Sequence, residues 1–294
     1  MATLRELKGR IGSVASSEKI TGAMKMISSA KMHRAEADLK RLLPFRRQIE
    51  SIIGNLLSAD ARFTSPLTEV REVRRAAIVV FGSDDGLCGG YNINIFKGLL
   101  ARIAELRQTY GETLPVTVIP VGRKLTAACA KLKMAGVTSE PAEGVSSKSD
   151  GQQVRAFGAA LRDLFLEGGA DRVELMYMNF QSVSRQRLRS DAYLPVDSEA
   201  LCGKADSNAC RPCIFEPDAE TIFRSVVPMA LQSTLQEVFT ENRASEQAAR
   251  IMAMQSANDN AKNLLEELQI EFNKLRQQGI TNELLDILGG QVNN

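Results

Sequence analysis

Three cysteines, Cys202, Cys210 and Cys213, lie within a span of twelve residues, and Cys210-Arg-Pro-Cys213 forms a CxxC. Thiols at that spacing can close a disulfide or hold a metal ion. A zinc site needs four ligands, and the single histidine, His33, is far away near the N-terminus. A thioredoxin-like CxxC opens a helix in a redox domain, whereas this one adjoins Pro212 in a stretch rich in Asp, Ser and Pro. Two readings stay open: a redox-sensitive pair, or loose thiols in a surface loop, the plainer case. Cys88 and Cys129 stand alone and read as small buried hydrophobes.

A second candidate is the glycine-rich segment GSDDGLCGGYN at 82–92. It follows a strand-like run and opens a helix-like one, where a phosphate-binding turn would lie. Its spacing matches neither G-x-G-x-x-G nor G-x-x-x-x-G-K-[ST], and Asp84 and Asp85 would repel a phosphate. It reads as a tight strand-to-helix turn whose glycines allow positive φ and close backbone approach. Neither H-E-x-x-H nor G-x-S-x-G occurs, and no general base or nucleophile is evident. The expectation is a non-enzyme with no cofactor and no metal.

The elements around these segments are unusual. From 245 to 290 the chain reads as one helix, with Ile251, Met254, Ala261, Leu265, Leu268, Phe272 and Leu275 on a coiled-coil seam. Seventy helical residues would span roughly 100 Å, too long for an ordinary core. A second such seam starts at the N-terminus with Leu4, Leu7, Ile11 and Val14. It resumes at Met32, Ala35, Leu39, Leu42, Ile49, Ile53 and Leu56. Between these it passes through Glu18, Thr21, Lys25 and Ser28, so it turns polar without losing register. Pro44 predicts a kink near Leu43. The middle of the chain alternates strands (76–81, 115–122, 172–180, and a fourth within 186–196) with helical patterns, which argues an α/β layer with a mostly parallel sheet. A polar loop is expected at 138–149. The predicted fold is α/β: a long antiparallel coiled coil of N- and C-terminal helices carrying an inserted Rossmann-like α/β domain. Its parts are a first shaft helix at 1–58, the α/β domain at 74–197, a cysteine-containing loop at 198–217 and a second shaft helix at 218–290. The competing arrangement is two amphipathic helices on one large core.

Net charge is only +2, yet residues 1–50 hold eleven Lys and Arg against five Asp and Glu. The first helix is a basic rod suited to nucleic acid, anionic lipid or an acidic protein surface, or simply a solvated face. A basic coiled-coil nucleic-acid-binding protein is therefore the alternative reading, weakened by the lack of interleaved aromatics. A nucleotide-binding enzyme built on 82–92 is a third. An aromatic fraction of 5%, with no Trp, fits coiled coil better than a dense interior. No apolar run approaches the ~20 residues that cross a bilayer, and the N-terminus has no signal-peptide core. The chain is expected inside the cell, reaching a membrane only through a partner.

Three blocks carry a family resemblance. The segment 9–32, with K-I-T-x-A-M-x-M at 19–26, resembles the N-terminal helix of the gamma subunit of F-type ATP synthases. SDDGLCGGYN at 83–92 is similar to that family's S-D-x-G-L-C-G-x-x-N loop. SEQAARIMAMQSANDNA at 245–261 and FNKLRQQGITNELLDILGG at 272–290 resemble its C-terminal signature. The resemblance implies a central rotor shaft standing in a hexamer of alpha and beta subunits. Its α/β foot would rest on the membrane ring of c subunits, beside epsilon, at the cytoplasmic face of a bacterial inner membrane. It implies shaft contacts to alpha and beta at Lys19, Met24, Lys25, Arg250, Arg276, Gln277, Thr281 and Glu283, and a foot contact at Glu216. It also places the chain with the F-type ATPase catalytic core. The loop holding Cys202, Cys210 and Cys213 lies where the chloroplast subunit has a regulatory dithiol, but its spacing departs from C-x5-C, so location alone suggests redox control.

Overall fold

The run AAIVVF forms β1 (Ala76–Phe81), buried along its whole length, because both of its faces are covered. In the computed structural model, residues 3–57, 65–197 and 215–291 are described. Five strands, β1, β2 (Val116–Val121), β3 (Val137–Ser139), β4 (Arg172–Phe180) and β5 (Gln186–Leu194), form one sheet in the order β3-β2-β1-β4-β5. The first four are parallel, and β5 pairs antiparallel with β4 along the edge. Helices α2 (Tyr91–Tyr110) and α3 (Arg123–Cys129) cover one face, burying Ile95, Leu99, Ile103, Leu125 and Cys129 against Ile78, Val80 and Val118. Helix α4 (Gly151–Leu166) covers the other face together with the long C-terminal helix α5 (Ala219–Gln291). There Phe239 of α5 meets Phe81 edge-on at 4.9 Å between ring centroids. Asp150 caps α4 by accepting from the Gln152 and Gln153 backbone amides, and Gln153 returns the bond to Asp150, a reciprocal capping box.

The chain's two ends build a helix pair. Helix α1 (Leu4–Leu57) has 54 residues and α5 has 73, so they reach about 80 and 110 Å. They run antiparallel. Asn258 faces Glu18 and Thr21, Arg46 meets Glu237, and Ile49 and Ile53 pack on Val226 and Ala230. The α/β sheet domain is inserted between them in sequence. Most of the seam turns from solvent: Leu7, Met32, Ala35, Ile49, Ile53 and Leu56 are buried and Glu18, Thr21 and Lys25 are half-buried, whereas Leu4 in the first turn, where no second helix covers it fully, is 39% exposed. Helix α1 continues unbroken through Pro44, whose ring is exposed.

Two details of the domain depart from the sequence pattern. The polar stretch beginning at Thr138 contributes part of β3, a strand of three residues held by β2 on one side only. Glu174 lies buried in β4, where Arg102 and Arg172 donate to its carboxylate, each at 2.7 Å, and Ser190 adds a bond at 3.0 Å. Burial alone would raise its pKa. The two guanidiniums outweigh that, and the carboxyl titrates below its ordinary 4.5.

Candidate functional site

Strand β1 ends in the glycine-rich segment because the chain must turn sharply under α3. A Cβ at Gly82 would sit 2.6 Å from Leu125 Cβ, which admits no side chain. At Gly122 (φ +100°) the backbones cross closely, and a Cβ would meet the Gly82 carbonyl carbon at 3.0 Å. Asn92, in the first turn of α2, closes the loop: its Oδ1 accepts from the Ser83 amide, and its Nδ2 donates to Ser83 Oγ at 2.7 Å. Asp84 points inward and accepts from the Arg123 amide and from both the amide and hydroxyl of Ser147. Asp85 points outward to Lys148, 2.7 Å away, and this hydrogen bond chiefly holds its carboxyl below the usual range. At the tip, Leu87 adopts φ +63° and presents an apolar side chain that is 58% exposed.

The loop is fastened to α5 by a column of buried polar groups at three- and four-residue spacing. Asn242 donates to the Gly82 carbonyl at 3.1 Å and accepts from Tyr91 Oη at 2.7 Å. Ser245 donates to the Met178 carbonyl at the end of β4. Arg250, only 5% exposed, donates to the carbonyls of Gly86 and Asp85 and to Glu246 at 2.8 Å. Burial raises the Glu246 pKa, and Arg250 opposes that rise. In open α/β sheets, ligands bind at the carboxyl ends of the strands, where the strand order reverses. Here that crevice, between β1 and β4, is filled by α5 itself. The turn is thus a clasp on the long helix, in line with the plain reading of 82–92.

The residues expected at partner contacts fall into three places. Lys19 is exposed and Met24 and Lys25 are half-buried on α1, and neither lysine makes an ion pair among the described residues. Arg276, Gln277, Thr281 and Glu283 are all exposed on distal α5, where Thr281 Oγ1 caps the Gln277 carbonyl at 2.9 Å. Glu216 is exposed just before α5 begins. Arg250 is turned inward and engages this chain's own loop. Cys202, Cys210 and Cys213 lie outside the described residues, while Cys88 and Cys129 are buried free thiols. Among the described residues no group of His, Cys, Asp and Glu is arranged to hold a metal ion.

Seam spacing alone did not single out several exposed apolar residues besides Leu87. Ile20, Met26 and Ile27 of α1 and Met252 of α5 are all largely exposed, Met26 at 74%. Their signal was present as apolar residues off the seam frame. Exposed apolar residues on two helices and one loop are candidates for protein contact.

The matched family model, described as ATP synthase, covers residues 3–292. The chain is 42% identical to the ATP synthase gamma chain of Phocaeicola vulgatus over 99% of its own length and all of the relative's. It is 39% identical to that of Bacteroides thetaiotaomicron, again over 99% of this chain and all of the other. Among solved structures it resembles a rotor chain of the Euglena gracilis mitochondrial ATP synthase. That match has a TM-score of 0.61 and 19% identity, covering 94% of this chain and 98% of that one, a likeness of fold. A long helix pair with an inserted sheet domain defines the rotor-shaft class, and the chain belongs to the gamma-chain family of ATP synthases. Its function is that of the rotor shaft, coupling rotation to ATP synthesis, which displaces the nucleic-acid and nucleotide-enzyme readings. One expectation is corrected. Placing the chain in the F-type ATPase catalytic core is overturned by its relatives, which are gamma chains, a non-catalytic subunit. No helix among the described residues is long and apolar enough to cross a membrane.

Proposed function

We propose that α1 and α5 form a coiled coil whose distal part stands inside a hexamer of alpha and beta subunits, while the sheet domain rests on a ring of c subunits beside epsilon. The carrying observation is the set of apolar side chains Ile20, Met26, Ile27, Leu87 and Met252, which this chain leaves exposed. In this reading Lys19, Met24 and Lys25 meet the beta subunits, with the two unpaired cations on acidic surface. Arg276, Gln277, Thr281 and Glu283 contact the hexamer higher up, and Glu216 touches the ring. Arg250 acts indirectly, by holding the Leu87 tip at a fixed angle to the shaft. Turning the shaft then presents a different face to each beta subunit, shifting each between open and closed states. Bacterial relatives support a place at the cytoplasmic face of an inner membrane, reached through the ring. The remaining proposal concerns Cys202, Cys210 and Cys213: free thiols with no braking role. A native pull-down tests the assembly. One copy of this chain should bring three alpha and three beta subunits with epsilon, and a Leu87→Asp, Met26→Asp double variant should lose alpha and beta. Recovery of this chain without them from wild-type cells would contradict the reading.

A further inference from the structure

A cavity of about 310 Å³ opens between α1 and α5 beside the end of β4. One wall is apolar, built from Leu39, Leu42 and Leu43 of α1 and Phe180 of β4. The opposite wall is a stripe at four-residue spacing on α5: Ser233, Glu237 and Glu241. Most of the charges have partners. Arg46 donates to Glu237 at 2.7 Å and to Glu50 at 2.6 Å, and Glu36 faces the His33 ring at 3.2 Å. Lys40 lies exposed at the rim.

Two groups are left over. Glu241 accepts one hydrogen bond, from Asn179 Nδ2 at 2.8 Å, and forms no ion pair among the described residues. Burial first, and the Glu237 charge with it, raise its pKa, while the Asn179 hydrogen bond and the Arg189 and Arg46 charges only partly offset the rise, so its ionised form is under-compensated. Ser233 is 95% buried, being 5% exposed, and its hydroxyl has no hydrogen-bond partner among the described residues. A buried polar group without a partner is costly, and helix serines commonly relieve that by bonding back to the preceding turn. The complement of this wall is a cation with several donors, and the complement of the facing wall is an apolar stem.

We propose that this cavity is a binding site for a small amphipathic primary amine. Its ammonium donates to Glu241, and its stem lies on Leu39, Leu42, Leu43 and Phe180. Such a ligand touches both long helices and bridges them. Calorimetric titration of the full chain with 2-phenylethylamine tests this, with 2-phenylethanol as the neutral probe and 3-phenylpropionate as the anionic one. The amine should bind at one site at least tenfold more tightly than the alcohol, and the acid should bind worst. Glu241→Gln should weaken the amine tenfold or more while leaving the alcohol unchanged. Leu43 is half-exposed at the rim, so Leu43→Trp can fill the cavity without disturbing the core, and it should abolish binding of every probe. The proposal is overturned by the absence of saturable amine binding or by equal binding of amine and alcohol. Amine affinity that survives either Glu241→Gln or Leu43→Trp overturns it equally.

Discussion

The proximal and distal halves of α5 carry the same kind of seam and have opposite surroundings. From Phe223 to Met254 the helix is packed on the sheet domain, with Val227, Leu235, Ala244, Ser245 and Ala248 fully or almost fully enclosed. From 255 to 285 only Leu268 is buried, and Ile270, Ile280, Leu284 and Leu285 are half-exposed or more. The proximal half is held by a core, a polar column and a second helix. The distal half has only α1, on one narrow face. Helices within proteins draw most of their stability from tertiary packing. The distal half therefore has far less packing of its own within this chain than the proximal half.

That contrast can be broken by substitution, and the largest effect is expected at Arg250. Arg250→Ala would leave Glu246 buried without its cation, which costs about 3–5 kcal/mol. The matched change Arg276→Ala, on the exposed distal surface, should stay within about 0.5 kcal/mol in the isolated chain. Denaturant unfolding of the two variants checks the pair, and equal losses would refute the contrast.

A packing version comes next. Leu235→Ala empties a fully buried core position and should cost about 2–5 kcal/mol. Leu284→Ala should leave the isolated chain's unfolding midpoint almost unchanged and show its effect in recovery of the assembled complex.

The third prediction concerns acid. Glu174 has its pKa depressed below the ordinary 4.5, so its contribution is full above that value and drains as pH falls towards the depressed one. Stability measured from pH 7 to pH 3 should drop below about pH 4.5. In Glu174→Gln the drop should be shallower, from a lower starting stability. Glu246 has the opposite sign. Its raised pKa contributes stability that is full below 4.5 and is lost as pH rises through the folded value. The smallest effect is expected at Lys19, where an exposed pair with a partner is worth about 0–1 kcal/mol. Lys19→Ala should slow ATP hydrolysis by the assembled complex only modestly.

The sequence made the seams visible because 3-4 spacing survives a change from apolar to polar side chains. Glu18, Thr21 and Lys25 keep their place in the frame even though none is hydrophobic. Strand β1 was visible as an unbroken apolar run, matching 76–81 residue for residue. Strand β3 was not, because three residues at a sheet edge carry too little pattern to stand out from a polar loop. The role of Arg250 was hidden for another reason. Its partners at Gly86 and Asp85 are 164 and 165 residues away, and local pattern holds no record of such contacts. The Gly82–Gly122 crossing is similar: each glycine signals a tight turn, but nothing local tells which turn it must clear. The unbonded Ser233 hydroxyl and the Glu241 carboxylate without an ion pair among the described residues were also invisible, since α5 reads there as an ordinary amphipathic helix.

The central claim is that α1, α5 and the sheet domain turn as one body. A cross-link through the waist tests it most directly. A Cβ at Gly22 would lie 3.5 Å from Asn258 Nδ2, so Gly22→Cys with Asn258→Cys places two thiols across the helix pair. Cys202, Cys210 and Cys213 would be changed to Ser to avoid competing bridges. The measurement is ATP synthesis driven by an ion gradient in the reconstituted complex before and after oxidation, with the extent of cross-linking read on a gel. The rigid-body account predicts near-complete cross-linking and an unchanged synthesis rate. A synthesis rate that collapses on oxidation and returns with reductant would show that the two helices must slide or separate during turnover, and would contradict it.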